Sequence, residues 1–167
     1  MNLSVSPSAG DPEAESPAYR VRPAAVADSA EVARLAGELG YPAEPTEMSG
    51  RLAGLLRSEN HIVAVAEGAH GLLGWIAAEQ RLLLESGKRV EIVGLIVGDG
   101  ARRRGVGKAL VEAAEQWAAA NGQASVFVRS NVVRTESHPF YERLGYTRTK
   151  TQHAYSKLLL NASECPS

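Results

Sequence analysis

The chain has 167 residues and an almost balanced charge, with 18 Lys and Arg residues against 19 Asp and Glu residues and a net charge of −1. This length fits one domain with enough interior for a sizeable core, and the charge balance disfavours a nucleic-acid partner. One cysteine, Cys165, excludes an internal disulfide bond and fits a reducing compartment, so we expect a cytoplasmic protein.

The two ends of the chain differ in composition from the part between them. Residues 1–17 are rich in Ser, Pro, Ala and acidic side chains, and we predict a disordered leader there. Residues 161–167 are predicted to be a flexible tail, and residues 18–160 a single domain that begins with a short strand at Tyr19–Arg22. No apolar run is long enough to cross a membrane, no signal-peptide pattern opens the sequence, and the four histidines lack metal-ligand spacing. Neither a membrane nor a metal partner is therefore expected.

Two helices are predicted to follow the first strand. Asp28 followed by Glu31 matches a capping box at the start of the first helix, and Gly40 supplies its end. The second helix is predicted to begin near Thr46. These helices form either a substrate lid or simple packing layers. The loop between them, Gly40 to Pro45, is the better functional candidate because loops often carry sites, and we predict that its Tyr41 contacts a substrate.

A hairpin is predicted next. His61–Glu67 and Gly71–Leu84 have the pattern of two strands around an Ala-His-Gly turn. Trp75 lies in the second strand, where a tryptophan either packs in the core or lines a substrate pocket. Both interpretations stay open.

The most informative stretch is an apolar strand, a turn rich in Gly and Arg, and a helix. Val90–Val97 is an apolar run of strand length, and a helical pattern begins at Val106. The first turn of a helix has unpaired N–H donors and the positive end of the helix dipole, so it attracts anions. Glycines let a phosphate approach the backbone closely. The alternative is a basic surface loop, but the combination favours a phosphate-binding site.

Two common phosphate motifs are excluded at this turn. A nucleotide P-loop needs Ser or Thr after Gly107-Lys108, where this chain has Ala109, and a dinucleotide fingerprint needs a glycine where this chain has Leu110. What remains is Arg-x-x-Gly-x-Gly, which resembles the pyrophosphate loop of the GNAT superfamily of N-acetyltransferases. This resemblance implies that acetyl-CoA is bound here, by Arg102, Arg103, Arg104, Gly105, Val106, Gly107 and Lys108.

The remainder of the chain strengthens the resemblance. Ser125–Arg129 is predicted to be a strand parallel to Val90–Val97, and Lys150–Leu160 the last strand. The segment Phe-Tyr-Glu-Arg-Leu-Gly-Tyr, Phe140–Tyr146, is similar to a second GNAT motif at a matching separation from the glycine loop. The resemblance runs from Tyr19 to about Leu160. It implies an α/β (α+β) GNAT fold, with one mixed, mostly antiparallel sheet of six to seven strands, a splayed central parallel pair and about four helices.

The resemblance also implies how the coenzyme is held. In GNAT folds the pantetheine arm lies between the splayed strands and pairs with the freed edge of the central one, here Leu95, Ile96 and Val97. Gly94 fits either a bulge that loosens the ladder or space for a neighbouring side chain. Asn131 matches a pantetheine contact or caps a turn.

Two residues are the catalytic candidates by resemblance. Tyr141 matches the tyrosine that stabilises or protonates the departing thiolate in this family, although as plain chemistry it could be a core tyrosine. Glu91, eleven residues before Arg102, looks like a general base that acts directly or through water. It could instead bind a cationic amine or be an ordinary solvated carboxylate. Ser130 is predicted to contact the substrate, with His138 as a weaker candidate.

The function predicted by this resemblance is acetyl-CoA-dependent N-acetylation of a primary amine, with a small molecule favoured over a protein lysine or N-terminus. The alternative from another class is a non-catalytic acyl-CoA-binding or regulatory module. Nucleic-acid binding through Arg102–Arg104 is disfavoured by the overall charge. The acceptor, the acyl-chain length and the formation of a homodimer stay open.

Overall fold

The structure is a computed structural model, which describes residues 18–130 and 135–159. Five strands and four α-helices occur in this part of the chain. In chain order they are β1 Tyr19–Pro23, α1 Ser29–Glu38, α2 Pro45–Leu56, β2 His61–Gly68, β3 Gly71–Leu83, β4 Gly87–Val97, α3 Val106–Ala120, β5 Val126–Val128 and α4 Ser137–Arg143. Short 3-10 turns precede α1 and follow β4.

The strands form one mixed sheet in the order β1-β2-β3-β4-β5. Neighbours from β1 to β4 are antiparallel, and β4 and β5 are parallel. The predicted mixed, mostly antiparallel sheet with a parallel pair and about four helices is thus confirmed. Among the described residues this pair lies at the edge of the sheet and not at its centre, because no strand follows β5. The prediction of six to seven strands is wrong for the described residues, where there are five.

The missing strand is the one predicted at Lys150–Leu160. Residues 150–159 have no strand partner among the described residues, and Tyr155 and Leu158 are almost fully exposed. Leu160 lies outside the described residues. An apolar run forms a strand only when a neighbouring strand pairs with its backbone. Without such a partner, its N–H and C=O groups form hydrogen bonds with water instead.

The described chain falls into two compact units that divide between Arg129 and Ser130. The first unit contains the whole sheet and α1 to α3. The second contains α4, a short helix with Pro139 in its first turn, where a missing N–H costs little. Gly145 follows this helix with a φ of 90°, as expected of a glycine at a helix end.

Both faces of the sheet in the first unit are packed. On one face, Leu35 of α1 and Leu52 of α2 join Val65, Ile96 and the partly buried Trp75 in a single apolar cluster. On the other face lies α3, whose buried side chains are Val106, Leu110, Val111, Ala114 and Ala118. The apolar periodicity of these helices is what fixes them against the sheet.

The predicted capping box at Asp28 and Glu31 is wrong. Asp28 precedes α1, but its side chain accepts no capping hydrogen bond from the N–H groups of that helix. Its carboxylate instead accepts the Ala25 N–H at 2.8 Å and a bidentate pair of hydrogen bonds from Arg22. Glu31 accepts the N–H of Leu72 and pairs with Arg34. Both carboxylates are thus bound by arginines and by amides outside α1, since a bidentate pair with arginine is stronger than a single hydrogen bond to a helix N–H.

Candidate active site

The turn between β4 and α3 has the geometry of an anion-binding loop. Gly105 precedes α3 in the left-handed region, with φ 77°, and Arg103 is a non-glycine residue with φ 63°. A strained residue of this kind persists only where the surroundings hold it, and such residues cluster at functional sites. The Ala109 N–H bonds to the Gly105 carbonyl. By helix geometry, the N–H groups of the three residues before Ala109 have no acceptor within the helix, because the carbonyls four positions before them lie outside it.

Positive charge surrounds these amides. The side chains of Arg102 and Lys108 are largely exposed and pair with Asp99 and Glu112 on the surface. Arg104 lines a cleft of about 670 Å³ formed by α1, the β2–β3 turn and the loop after β4. The Tyr19 hydroxyl of β1 reaches the Arg104 carbonyl at 3.5 Å, a contact that the sequence analysis missed because it depends on tertiary structure.

Among the described residues, no strand pairs with the edge of β4 beside this loop over most of its second half, and this edge is called open below. The parallel pairing with β5 covers three pairs and ends at Ile92–Val128. On the β3 side, Gly98 donates to Leu73, so by strand alternation Leu95 and Val97 direct their amides away from β3. Ile96 directs its carbonyl toward Gly74 on β3 and its side chain into the core. Of the three predicted edge residues, two therefore present backbone groups to the open side.

Gly94 satisfies both interpretations of its role. The β3–β4 register shifts between Ala77 and Ala78, which pair with Gly94 and Ile92, so Val93 is the extra residue of a bulge. The indole of Trp75 lies directly over Gly94. The bulge directly follows Ile92, which is the last residue of β4 that pairs with β5. The two strands therefore separate at the bulge.

Glu91 is buried and tightly paired. Its Oε1 atom forms an ion pair with Arg129 Nε at 2.8 Å. Its Oε2 atom accepts a hydrogen bond from Arg89 Nη2 at 2.9 Å and lies 3.5 Å from Arg81 Nη1. Glu91 is therefore not an ordinary solvated carboxylate, which was one of the interpretations left open from the sequence. These arginines were not predicted from the sequence. The available signal was the alternation of charged residues at Glu79 and Arg81, and at Arg89 and Glu91, which indicates a charged face of the sheet.

The predicted substrate contacts fall at different places. Trp75 is partly buried against the apolar cluster, and its Nε1 atom has no hydrogen-bond partner among the described residues. Tyr41 is 60% exposed in the α1–α2 loop. Ser130 begins the second unit, and its buried Oγ likewise has no partner in the described chain. Asn131 lies outside the described residues.

Tyr141 lies in α4 within a small aromatic group. Its ring packs edge-on against Phe140 at 5.0 Å and against Tyr146 at 5.7 Å between centroids. Burial raises the pKa of the Tyr141 phenol above its ordinary value of 10.0. The hydroxyl therefore stays protonated through the physiological range and can act as a hydrogen-bond donor.

Comparison with known proteins agrees with this geometry. Residues 29–146 match the model of the Acetyltransferase (GNAT) family, a span that covers parts of both units. No curated protein matches the chain with significant sequence similarity. The chain belongs to the GNAT family of acetyltransferases.

Solved structures show the same fold. An aminoglycoside 6'-N-acetyltransferase from Acinetobacter haemolyticus has a TM-score of 0.73 at 20% identity, over 84% of this chain and 99% of that one. Glucosamine-6-phosphate N-acetyltransferase from Arabidopsis thaliana has a TM-score of 0.71 at 20% identity, over 83% and 97%. A transcriptional regulator from Bacillus halodurans has a TM-score of 0.69 at 23% identity, over 85% and 99%.

The described residues contain neither a candidate membrane span nor a group of metal ligands. None of the described helices has both the length and the apolar character needed to span a bilayer. Within residues 18–130 and 135–159, no three His, Cys, Asp or Glu side chains come together as metal ligands.

Proposed function

We propose that this protein is an acetyl-CoA-dependent N-acetyltransferase that acts on a primary amine of a small molecule. The single observation that carries the proposal is the start of α3, where left-handed Gly105 leads into three amides without helical acceptors beside an open edge of β4. A diphosphate needs several N–H donors and positive charge, and this turn supplies both. The open amides of Leu95 and Val97 suit the amide groups of a pantetheine arm.

The reaction is the attack of an amine on the thioester carbonyl, followed by departure of the coenzyme thiolate. An alkyl amine with a pKa of about 10.4 is neutral in roughly one molecule in two thousand at pH 7, so a proton must leave before or during attack. Tyr141 is our candidate for stabilising the thiolate, supported by its motif and by the raised pKa of its phenol.

The role of Glu91 as a base stays a prediction, and its surroundings favour a different one. A base needs an oxygen that faces the substrate, whereas both oxygens of Glu91 are already in ion pairs with guanidinium groups, Oε1 with Arg129 and Oε2 with Arg89. We propose that Glu91 holds Arg89 and Arg129 in position. Proton removal then falls to water, directly or by way of another group.

A small-molecule acceptor is supported by the names of structural relatives. Matching structures include proteins described as aminoglycoside N-acetyltransferases and a glucosamine-6-phosphate N-acetyltransferase. Trp75, with its unpartnered Nε1, and exposed Tyr41 are our candidates for acceptor contacts, together with Ser130. A protein lysine or N-terminus is the alternative acceptor.

The test is release of thiol from acetyl-CoA with a panel of small primary amines, paired with mass spectrometry of the products and a parallel panel of lysine peptides. We expect amine-dependent thiol release and a mass increase of one acetyl group on a small amine. Turnover confined to the peptides would replace the small molecule with a protein acceptor. Failure to bind acetyl-CoA would refute the proposal altogether.

A non-catalytic acyl-CoA-binding module is the second candidate, and the ion pairs of Glu91 are the observation that favours it. Its signature in the same experiment is acetyl-CoA binding without amine-dependent thiol release in either panel.

A further inference from the structure

A cluster of five charged side chains lies on one face of the sheet next to the separating strands. Glu79 pairs with Glu91 across β3 and β4, Arg81 pairs with Arg89, and Phe127 of β5 lies opposite Glu91. Alternation along β3 puts Glu79 and Arg81 on the same face as Trp75. We call Glu79, Arg81, Arg89, Glu91 and Arg129 the Glu91 cluster.

The cluster contains more positive than negative charge. Three guanidinium groups surround two carboxylates, which leaves a net charge of +1 for these five groups. Two guanidinium groups suffice to balance two carboxylates, and an ion pair of an arginine as exposed as Arg129, at 62%, contributes little to stability. Folding alone therefore does not account for the third arginine. His61 faces Glu79 at 3.5 Å and adds further positive charge when it is protonated.

The most accessible charges of the cluster are positive within the described chain, although the Glu79 side chain is 28% exposed. The Glu91 side chain is 3% exposed, while those of Arg81 and Arg129 are 38% and 62% exposed. Arg89 is held flat, with its guanidinium carbon 4.5 Å from the centre of the Phe127 ring, and its buried Nε has no partner among the described residues. An approaching ligand thus meets guanidinium groups that are already oriented, which is the arrangement that suits carboxylate and phosphate.

The cluster also lies at a useful distance from the proposed reaction centre. The open part of β4 begins at the bulge next to Gly94, three residues beyond Glu91. At about 3.3 Å per residue this is about 10 Å, the span of a small amine with an anionic group at its far end.

We propose that the acceptor amine carries a carboxylate or a phosphate group, which Arg129 and Arg81 bind. This inference rests on the proposed function and narrows its acceptor class. Polycationic amines such as aminoglycosides are poor acceptors in this arrangement, because a further cation is repelled by the exposed guanidinium groups.

The test uses acceptors that differ by one anionic group: glucosamine 6-phosphate against glucosamine, and 6-aminohexanoate against hexylamine, with an aminoglycoside as a third arm. We expect kcat/KM for the anionic member of at least one pair to exceed that of its partner by about tenfold to a hundredfold, the range of a charge-assisted hydrogen bond. The favoured pair identifies phosphate or carboxylate. Equal or higher kcat/KM for the neutral partners or the aminoglycoside overturns the proposal.

Single-residue variants test whether the preference for anionic acceptors comes from the Glu91 cluster. Arg129→Gln and, separately, Arg81→Gln should reduce the anionic preference at least fivefold while KM for acetyl-CoA stays within twofold. Arg51→Gln on α2, whose side chain is 63% exposed and paired with Glu47, is the matched control and should keep the preference. An unchanged preference in both cluster variants, each folded by thermal unfolding, overturns the assignment.

A binding measurement separates this inference from the proposed function. Calorimetry of the CoA-loaded protein with glucosamine 6-phosphate and with glucosamine reports the preference even when no amine is acetylated. The proposed transferase would be refuted and the role of the Glu91 cluster supported if no amine is acetylated but glucosamine 6-phosphate binds more tightly than glucosamine. This difference in affinity must also be lost in Arg129→Gln. Turnover without any anionic preference in rate or affinity would support the transferase and refute the cluster.

Discussion

The indole of Trp75 occupies the space that a side chain on Gly94 would need. A Cβ atom at position 94 would lie 2.8 Å from Trp75 Cζ3 and 3.1 Å from Cη2. Contacts this short force one of the two groups to move. Trp75 and the bulge at Val93 thus determine together the shape of β4 where its pairing with β5 ends.

Replacing Gly94 tests this contact. Gly94→Ala should lower the free energy of unfolding by about 1–3 kcal/mol through overpacking against Trp75. Gly54→Ala in α2 is the control: nothing lies within 4 Å of its added methyl group, and alanine favours a helix. Denaturant unfolding of both variants gives the comparison. An unchanged midpoint for Gly94→Ala would show that the indole moves aside freely.

The bidentate pair of Arg22 and Asp28 predicts a pH-dependent stability. The Arg22 guanidinium, and to a lesser extent the Ala25 amide, hold the pKa of Asp28 below its ordinary value, although burial opposes them. A lowered folded-state pKa contributes stability that is complete above the unfolded value near 4 and is lost as the pH falls further. Asp28→Asn should therefore cost about 2 kcal/mol at pH 7, and this difference should shrink below about pH 4.

Urea unfolding at several pH values measures this difference. Glu47→Gln serves as the control, since its pair with Arg51 spans 3.9 Å and is 59% exposed on the glutamate side. Exposed pairs of this kind contribute within about 0.5 kcal/mol. A constant difference between Asp28→Asn and the parent protein from pH 7 to pH 3 would contradict the linkage.

The sequence predicted best those parts of the fold whose cause is local. A strand followed by Gly105 and a helix is fixed by apolar periodicity and by the need for a residue with φ above zero, and both can be recognised along the chain. Gly40 and Gly145 ended their helices for the same reason. The bulge at Gly94 was predictable because glycine is unusual within an apolar strand.

The parts that sequence reasoning missed depend on register between strands. Arg81 lies in β3, Arg89 in β4, and Arg129 directly follows β5. They meet at Glu91 because of strand pairings that no single segment reveals. Asp28 and Glu31 had the spacing of a capping box, but Arg22 and the Leu72 amide took their carboxylates. Local patterns are outweighed where a charged partner arrives from elsewhere in the fold.

Removing the phenolic oxygen of Tyr141 tests its proposed role in stabilising the departing thiolate. Tyr141→Phe should lower kcat about a hundredfold, the usual contribution of a general acid, while KM for acetyl-CoA stays within about twofold. Because burial raises the pKa of this phenol, wild-type activity should show less alkaline loss through Tyr141 than a phenol with the ordinary pKa of 10.0 would cause. Steady-state rates across pH 6 to about 9.5 provide the measurement. Tyr155→Phe, at a position 92% exposed, is the control that should leave kcat unchanged.

Two glycines with the same backbone conformation separate coenzyme binding from backbone strain. Gly105 has φ 77° before α3 and Gly122 has φ 76° after it, so alanine at either position meets the same left-handed strain of about 1–2 kcal/mol. Both variants should lose similar stability in denaturant unfolding. Only Gly105→Ala should raise the Kd for acetyl-CoA, by about fivefold to tenfold, because it alone disturbs the amides at the start of α3. Calorimetric titration of both variants decides the matter: equal Kd values would mean that the diphosphate is bound somewhere else.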